Sequence, residues 1–356
     1  MFNVTVTKCT CQSFGGGLLS LSNSTLNATN CLFSRNEAPT SGGSVAVSTG
    51  SVILVNSTLE SSTAGSAGGG AYISGARVSL ASVTVQDNFA EEQGGGIHTR
   101  NSILVATDTT LDRNVANNDG GGMNIVSSPM VDLSNCRMTS NRADYGGAVY
   151  VSSGSVVTIS DCSGFKNSAL TSGGLAFVLA SNVALFSGLF AENSGSYGGG
   201  ILIQNGRLNV TGCEFLNGSA TSSGAGLDAI EGSFIHVHDT LFASNTAEFG
   251  GAVYLMESYF WGSHVRVSNC KADTDGGAIV ANQTSSLLCS GCIFERNSAS
   301  GKGGGVYLES DRTQLLAFQF DNCTFERNSA ALGGNSPLVN DAFGRVERLR
   351  GIAFCE

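Results

Sequence analysis

Glycine pairs recur along the chain at a nearly constant spacing, and this period constrains the fold more than any other feature. The first glycine of each small-residue pair returns every 25 to 30 residues, most often after 26. These glycines are Gly15, Gly42, Gly68, Gly94, Gly120, Gly146, Gly173, Gly198, Gly224, Gly250, Gly276, Gly303 and Gly333. A fixed period of this length indicates a repeat protein, in which each repeat stacks on its neighbours.

Apolar and polar residues alternate within each repeat, which predicts β-strands. One stretch follows the glycine pair, as in GGAVYVS, a second comes about ten residues later, as in SVVTISDC, and a third runs through segments such as CIFERN. Leucine-rich, propeller and calcium-binding nonapeptide repeats need motifs or periods that the chain lacks. We therefore predict an all-β fold, a right-handed parallel β-helix solenoid of about 13 coils with about 26 residues and three short strands per coil.

The repeat pattern defines a domain over residues 1–336, and the pattern changes in the tail 337–356. The tail drops the glycine pair and gathers three arginines, so we predict that it covers the last coil as a cap. At the other end, Val4, Val6 and Cys9 match slots from the middle of later repeats, so the first coil is expected to be incomplete. We expect the chain to be part of a longer protein, without its targeting signal, and to associate end to end through this edge.

Two further sets of residues recur in register with the predicted strands. Residues that tolerate a left-handed backbone precede the cysteine slot and are expected at a sharp bend. They are Asn30, Asn56, Asp108, Asn135, Asp161, Gly212, Asp239, Asn269, Gly291 and Asn322. An asparagine follows three residues after an inward phenylalanine and is expected at the next bend, where stacked amides hydrogen-bond along the coils. This predicted structural ladder comprises Asn36, Asn193, Asn245, Asn297 and Asn328.

Tetrapeptides in these repeats resemble those of a known family. GGAV at 146 and 250, GGAI at 276, and the segments FSRN, FAEN, FASN and FERN are similar to the GGA[ILV] and FxxN pairs of the chlamydial polymorphic outer membrane proteins. Similar repeats occur in surface proteins of protists and algae. The resemblance implies a pectin lyase-like β-helix displayed on the cell surface or outside the cell, as an outer-membrane passenger in a bacterium, and commonly adhesive.

Most of the 11 cysteines share one inward slot, where a free thiol behaves as a small apolar residue. Cys136 and Cys162 are expected to face each other on adjacent coils, as are Cys270 and Cys292, and a disulfide is the alternative for either pair. The CxxC formed by Cys289 and Cys292 lacks a second CxxC, so we assign it to the core and not to a zinc or redox site.

Charge and hydropathy exclude two classes of partner. The net charge of −10 opposes binding to nucleic acid, which depends on Lys and Arg. No apolar run reaches the ~18 residues of a membrane span. No pattern in the chain calls for a cofactor.

One column of residues is expected to point outward from the first strands. It comprises Ala46, Tyr72, His98, Asn124, Tyr150, Phe177, Leu202, Asp228, Tyr254, Val280 and Tyr307. Asp228 is its single carboxylate, whereas glycosidic catalysis needs paired acid and base groups, so we expect a solvated Asp228 and no catalytic residues. The aromatic members Tyr72, Tyr150, Phe177, Tyr254 and Tyr307 either bind a sugar or protein partner or stack on one another as a structural ladder.

An HxH pair, His236 and His238, is also predicted to point outward. Two histidines on one strand can contribute to a metal site, but no third ligand is evident on a neighbouring coil, so we predict no metal. Together these patterns predict a non-enzymatic surface protein that acts as an adhesin-like binding surface for glycans or surface proteins, or as a spacer. The alternative is a polysaccharide-active lyase, hydrolase or epimerase, a class common among β-helices.

Overall fold

The computed structural model describes residues 1–21, 24–309 and 318–334, together with the backbone of three strands in the tail. Contacts divide the chain into two compact units, Met1–Val183 and Ala184–Glu356. Within each unit the strands pair in parallel with strands one coil away, and the described residues form no helix. No described segment is therefore a helix able to cross a membrane. The predicted all-β parallel β-helix is confirmed.

A coil of the first unit contains up to four strand positions. The first and second positions share a sheet and sometimes merge: Leu18–Leu21, Thr25–Thr29, Val45–Val55, Ala71–Ala81, Ile97–Arg100, Ile103–Thr107, Met123–Val126, Met130–Ser134, Val149–Ser152, Val156–Ser160 and Ala176–Leu179. The third positions form a second sheet: Thr5–Thr7, Leu32–Ser34, Thr58–Glu60, Thr84–Gln86, Thr110–Asp112, Arg137–Thr139 and Ser163–Phe165. The fourth positions form a third sheet: Glu37–Ala38, Thr63–Ala64, Phe89–Ala90, Val115–Ala116, Arg142–Tyr145 and Ser168–Ser172.

The second unit repeats this arrangement, and Asn182–Phe186 contains the boundary between the units. Its first strands are Ile201–Gln204, Leu227–Ile230, Val253–Met256, Ile279–Asn282, Val306–Glu309 and Leu338–Asn340. Its second strands are Arg207–Thr211, Phe234–His238, Tyr259–Ser263, Ser286–Ser290, Phe318–Asp321 and Arg348–Arg350. Its third strands are Leu189–Ala191, Glu214–Leu216, Leu241–Ala243, Arg266–Ser268, Ile293–Glu295, Thr324–Glu326 and Ala353–Cys355. Its fourth strands are Ser194–Tyr197, Ser219–Ser223, Thr246–Ala247, Lys271–Ala272, Ser298–Ala299 and Ser329–Ala330.

Left-handed residues make the bends between these strands. All ten residues predicted at a sharp bend have positive φ, from 45° at Asp239 to 63° at Gly212. The glycine pair is required sterically as well, because a Cβ on Gly95 would lie 2.3 Å from the carbonyl oxygen of Val115. The recurring small and polar residues therefore encode the bends, as the sequence indicates.

The predicted asparagine ladder is buried in both units. In the second unit, Asn297 Nδ2 donates to Val267 O at 2.9 Å and to Asn328 Oδ1 at 3.0 Å. The left-handed residue at this bend is the preceding one, Arg296 with φ 51°, and not the asparagine. The asparagine therefore lies directly after the left-handed residue of the predicted bend. Its contribution is to hydrogen-bond buried amides between coils.

The ladder is longer than the FxxN motif indicates. Asn36 and Asn193 are buried as predicted, and Asn36 Nδ2 donates to Val6 O at 3.1 Å. In the first unit, Asn88 donates to Asn114 and Asn114 to Asn141, each over 3.0 Å from Nδ2 to Oδ1. These three asparagines follow an inward Val, Leu or Met, so a motif that requires phenylalanine does not find them.

Two cysteines, Cys9 and Cys270, lie in a different register from the one predicted. Val6 pairs with Phe33 and the Cys9 backbone N–H donates to Asn36 Oδ1 at 3.0 Å, so Cys9 lies in the ladder slot and not in the cysteine slot. Arg266–Ser268 pairs with Ile293–Glu295, which places Val267 opposite Phe294 and Asn269 at the second bend. Cys270 therefore occupies the ladder slot, where its backbone N–H donates to Asn297 Oδ1 at 2.9 Å. The prediction that Cys270 faces Cys292 is wrong. Cys136 does lie beside Cys162, whose sulfur accepts the Cys136 N–H at 3.2 Å, and both are free thiols.

The other inward cysteines and the tail agree with the repeat. Cys289 lies in the inward slot opposite Gly262 and is buried, as are Cys292 and Cys323. In the tail, Leu338–Asn340, Arg348–Arg350 and Ala353–Cys355 pair in parallel with the first, second and third strands of the preceding coil. The rest of 337–356 lies outside the described residues, so its capping role stays a prediction.

Candidate functional site

The predicted outward column is in register in the first unit, but much of it is buried. Tyr72, His98, Asn124, Tyr150 and Phe177 lie directly opposite one another on consecutive first strands. His98, Asn124 and Phe177 are 4%, 0% and 6% exposed, and only the two tyrosines are half-exposed. The expectation of an open outward face is therefore wrong here. Phe177 packs on Tyr150 with ring centroids 5.3 Å apart, as expected if the aromatic residues of the column stack on one another as a structural ladder.

The bend before each glycine pair lies beside the column and forms a wall along it. Ser41, Ala67, Gln93 and Asp119 join coil to coil by parallel bridges along this bend. Between the wall and the first strands lies a groove of ≈ 480 Å³, and Tyr72 is among its lining residues. The lining is aromatic at Tyr72 and polar at Gln93 and Asp119.

Burial shifts the pKa of several polar groups in this groove. Burial, reinforced by the nearby positive charge of Arg100, lowers the pKa of His98 to about 4, so its imidazole is neutral. Burial also raises the pKa of Asp119, although Gln93 donates to its carboxylate over 2.9 Å. Burial raises the pKa of Tyr150 to about 12, which keeps its hydroxyl protonated. The groove therefore presents a neutral imidazole and a protonated tyrosine hydroxyl close to Arg100.

The single carboxylate of the column, Asp228, is buried in the second unit. It is 1% exposed, and burial raises its pKa to about 7 against the opposing effect of the Ser223 hydroxyl, which donates to Oδ2. Its Oδ1 has no partner among the described residues. The expectation of a solvated Asp228 is therefore wrong. Tyr307 is also buried, whereas Tyr254 is half-exposed.

Among the described residues of the second unit, the most exposed aromatic cluster lies on the outer face of the second strands. Phe234 stacks on Tyr259 with centroids 4.8 Å apart and planes 5° apart, and His236 stacks on Trp261 at 4.8 Å and 28°. Phe234, Tyr259 and Trp261 are 46%, 47% and 58% exposed. The guanidinium of Arg207 lies 5.1 Å from the Phe234 ring centroid. We call these five residues the aromatic platform.

The platform consists of two parallel rows with a cavity between them. Strand pairing aligns Arg207, Phe234 and Tyr259 in one row, and His236 with Trp261 in the other. Because residues two apart on a strand share a face, the rows lie side by side. They border a cavity of ≈ 330 Å³. The next residue along the first row is Ser286, whose small side chain leaves the far face of the Tyr259 ring uncovered by a bulky neighbour.

The HxH pair separates into two environments at this surface. His236 belongs to the platform, whereas His238 Nε2 lies 2.9 Å from Asp239 Oδ2. His264, on the next coil, places Nδ1 3.6 Å from Asp239 Oδ1. The expectation that no neighbouring coil offers a third ligand is therefore wrong. The group that a metal would use is His238, Asp239 and His264, and not the HxH pair.

Sequence reasoning missed the platform because it considered aromatic columns on the first strands only, and on the second strands only the pair His236 and His238. The signal was present in SFIHVHDT and SYFWGSHV, where aromatic and histidine residues alternate with inward residues at an interval of 25. Aligning those two segments side by side would have placed Phe234 beside Tyr259 and His236 beside Trp261.

Comparisons with known proteins agree with this fold. The family model described as "Right handed beta helix region" matches residues 17–188, 69–242 and 193–343. No curated protein matches the chain. The A-module of the mannuronan C-5 epimerase AlgE6 from Azotobacter vinelandii is a similar solved structure, with 12% sequence identity over 92% of this chain and 91% of that chain. The TM-score between the two structures is 0.26.

Proposed function

The chain belongs to the right-handed β-helix family, and from that premise we propose that it is a non-catalytic binding module that holds a carbohydrate chain on the aromatic platform. The observation that carries this proposal is the exposure of Trp261, at 58%, beside two further exposed rings. Exposed aromatic clusters of this kind mark binding surfaces. A carbohydrate suits the platform because its apolar C–H faces pack on rings while its hydroxyls hydrogen-bond to polar tips.

Polar groups around the rings can form hydrogen bonds with the hydroxyls of a carbohydrate. Arg207, Asn209 and His236 line the same cavity as the rings, and the Tyr259 hydroxyl adds a donor. A cavity of ≈ 330 Å³ falls within the range of about 300–1,000 Å³ for small-ligand sites, so it suits one or two sugar units of a longer chain. A protein interface would need about 800 Å² from each partner.

We place this module on the cell surface or outside the cell. Its GGA[ILV] and FxxN repeats resemble those of the chlamydial polymorphic outer membrane proteins, and that resemblance supports surface display and adhesion. The burial of Asp228 supports the absence of catalysis, because an acid or base must reach the substrate.

A polysaccharide-active enzyme is the second candidate, favoured by one observation. The groove of the first unit collects His98, Arg100 and Tyr150 along one face. An enzyme of this class would depolymerise or epimerise a polyuronate. Incubation with alginate and pectin, followed by chromatography and nuclear magnetic resonance of the products, distinguishes the two functions. We expect the polymers to be recovered unchanged.

Binding itself is tested by cosedimentation of the full chain with insoluble cellulose, chitin and mannan. We expect retention by at least one polymer and its loss in Trp261→Ala. Tyr197→Ala is the matched control, because Tyr197 is 45% exposed and lies outside the platform. Retention that survives Trp261→Ala, or no retention of the wild type by any carbohydrate, would overturn the proposal, and retention by a protein ligand instead would assign the surface to a protein partner.

A further inference from the structure

We propose that His238, Asp239 and His264 form a site for a divalent metal of the zinc, nickel and copper class. The three side chains come from two consecutive coils of the second unit. Their candidate ligand atoms, two imidazole nitrogens and one carboxylate oxygen, all lie within 4.8 Å of one another. The inference stands independently of carbohydrate binding.

The backbone brings these residues together at one corner of the β-helix. Asp239 and His264 both have left-handed backbones, with φ of 45° and 52°, and both follow a second strand. Asp239 N donates to Ser263 O at 3.1 Å, which fixes the two bends against each other. His238 precedes the bend on the same outer face. The corner thus projects three ligands toward one point from a rigid parallel ladder.

The distances between the candidate ligand atoms are close to those around a bound metal. His238 Nε2 and Asp239 Oδ2 are 2.9 Å apart, and His264 Nδ1 and Asp239 Oδ1 are 3.6 Å apart. Ligands of a tetrahedral zinc at about 2.0–2.1 Å are about 3.4 Å from one another, and the two observed distances bracket that value.

A second contact orients one ligand. His238 Nδ1 lies 2.7 Å from Ser263 Oγ. When Nδ1–H donates to that hydroxyl, the lone pair of Nε2 is directed to the metal position, as in many metal sites whose histidines are held by an outer hydrogen bond.

The third ligand has room because the next coil has a glycine. A Cβ on Gly291 would lie 3.0 Å from His264 Cδ2, so a side chain there would press on the imidazole. Two imidazoles and one carboxylate favour zinc, nickel or copper over calcium or magnesium, which prefer oxygen ligands. The side chains of His238, Asp239 and His264 are 39%, 58% and 67% exposed, which leaves the remaining coordination positions to water.

The test is calorimetric titration of the full chain with Zn²⁺ at neutral pH, with Ca²⁺ as the negative probe. We expect one zinc per chain and no binding of calcium. His264→Ala and Asp239→Asn should each weaken zinc binding by at least about tenfold. The matched control is His236→Ala, which removes the neighbouring exposed imidazole and should change zinc affinity by less than about twofold.

The single tryptophan gives a second readout. Trp261 lies two residues before Ser263 on the strand that ends at the proposed site, so bound Cu²⁺ should quench its fluorescence in the wild type. The quenching should require higher Cu²⁺ in His264→Ala. Circular dichroism establishes that each variant is folded. Unchanged zinc affinity in folded His264→Ala, equal weakening in His236→Ala, or no zinc binding by the wild type would each overturn the assignment.

Discussion

Replacing Cys270 by asparagine should stabilise the protein, and the sign of the effect tests the register of the coils. Cys270 lies between Asn245 and Asn297 in the asparagine ladder. Asn245 Nδ2 reaches its sulfur only at 3.9 Å, and the sulfur donates to Phe242 O at 3.8 Å. Elsewhere in the ladder an asparagine makes the corresponding contacts at about 3.0 Å, as Asn297 does with Asn328.

The substitution exchanges these two weak sulfur contacts for two amide hydrogen bonds. A net gain of about 0.5–1.5 kcal/mol for each bond predicts a total of about 1–2 kcal/mol after the cost of ordering the longer side chain. The site has room for an amide because the next coil is packed in the same way. Ala252, in the coil of Cys270, lies beside Ala278 in the next coil, and that next coil has Asn297 at its ladder position.

The measurement is urea unfolding of the wild type and Cys270→Asn, followed by circular dichroism. A serine at the same position is the control, because it removes the thiol but is too short to span the ladder, and it should not stabilise. If Cys270 instead occupied the apolar slot of Cys292, asparagine would bury an unpaired amide and cost about 1–3 kcal/mol. A destabilised Cys270→Asn would therefore refute the register.

Three further predictions follow from bends, ladder and buried charge. Asn297→Val removes the donors to Val267 and Asn328 and should cost about 1–3 kcal/mol in urea unfolding, whereas the exposed Ser290→Ala should change stability by less than about 0.5 kcal/mol; equal effects would contradict the ladder. Gly95→Ala should prevent folding, detected by loss of soluble protein, because its Cβ would lie 2.3 Å from a carbonyl oxygen, whereas Gly154→Ala, with open space and φ of 73°, should cost only about 1–2 kcal/mol; a well-folded Gly95→Ala would contradict the packing. The pKa of Asp228 is raised to about 7, so the contribution of its protonated carboxyl to the free energy of unfolding is complete below about pH 4 and is lost as pH rises through 7, by up to about 4 kcal/mol. Asp228→Asn should abolish this loss in unfolding experiments at several pH values. An unchanged dependence of stability on pH in that variant would contradict the raised pKa.

The bends and strands could be predicted from sequence because each depends on local chemistry. Asn135 and Asp161 tolerate a left-handed backbone wherever they occur, and the alternation around them fixes which side chains face inward. The same reasoning failed at Cys270, because VRVSNC has the same alternation, followed by a bend residue and a cysteine, as VTISDC, which contains a second strand and its bend. Counting from Gly250 would have corrected the error, since the apolar slot falls at Val265 in that coil.

The surfaces were harder to predict because they depend on neighbours in other coils. Asp228 and Tyr307 alternate as outward residues should, yet the bend beside the first strands buries them. Periodicity reports the face of a strand but not whether another segment covers that face. Likewise His264 meets Asp239 only because one coil is 25 residues long, so the metal-binding group becomes visible once the register is known.

Trp261 fluorescence provides the most direct test of the binding function. As the single tryptophan of the chain, it reports on the platform without labelling. The titration uses soluble oligosaccharides of the polymer that retains the protein in cosedimentation. The emission should shift to shorter wavelength and the shift should saturate, because sugar contact removes water from the 58% exposed indole. Phe234→Ala should weaken that response and Tyr197→Ala should leave it unchanged. An emission spectrum that stays constant while the same oligosaccharide binds in calorimetry would place the carbohydrate elsewhere and contradict the account.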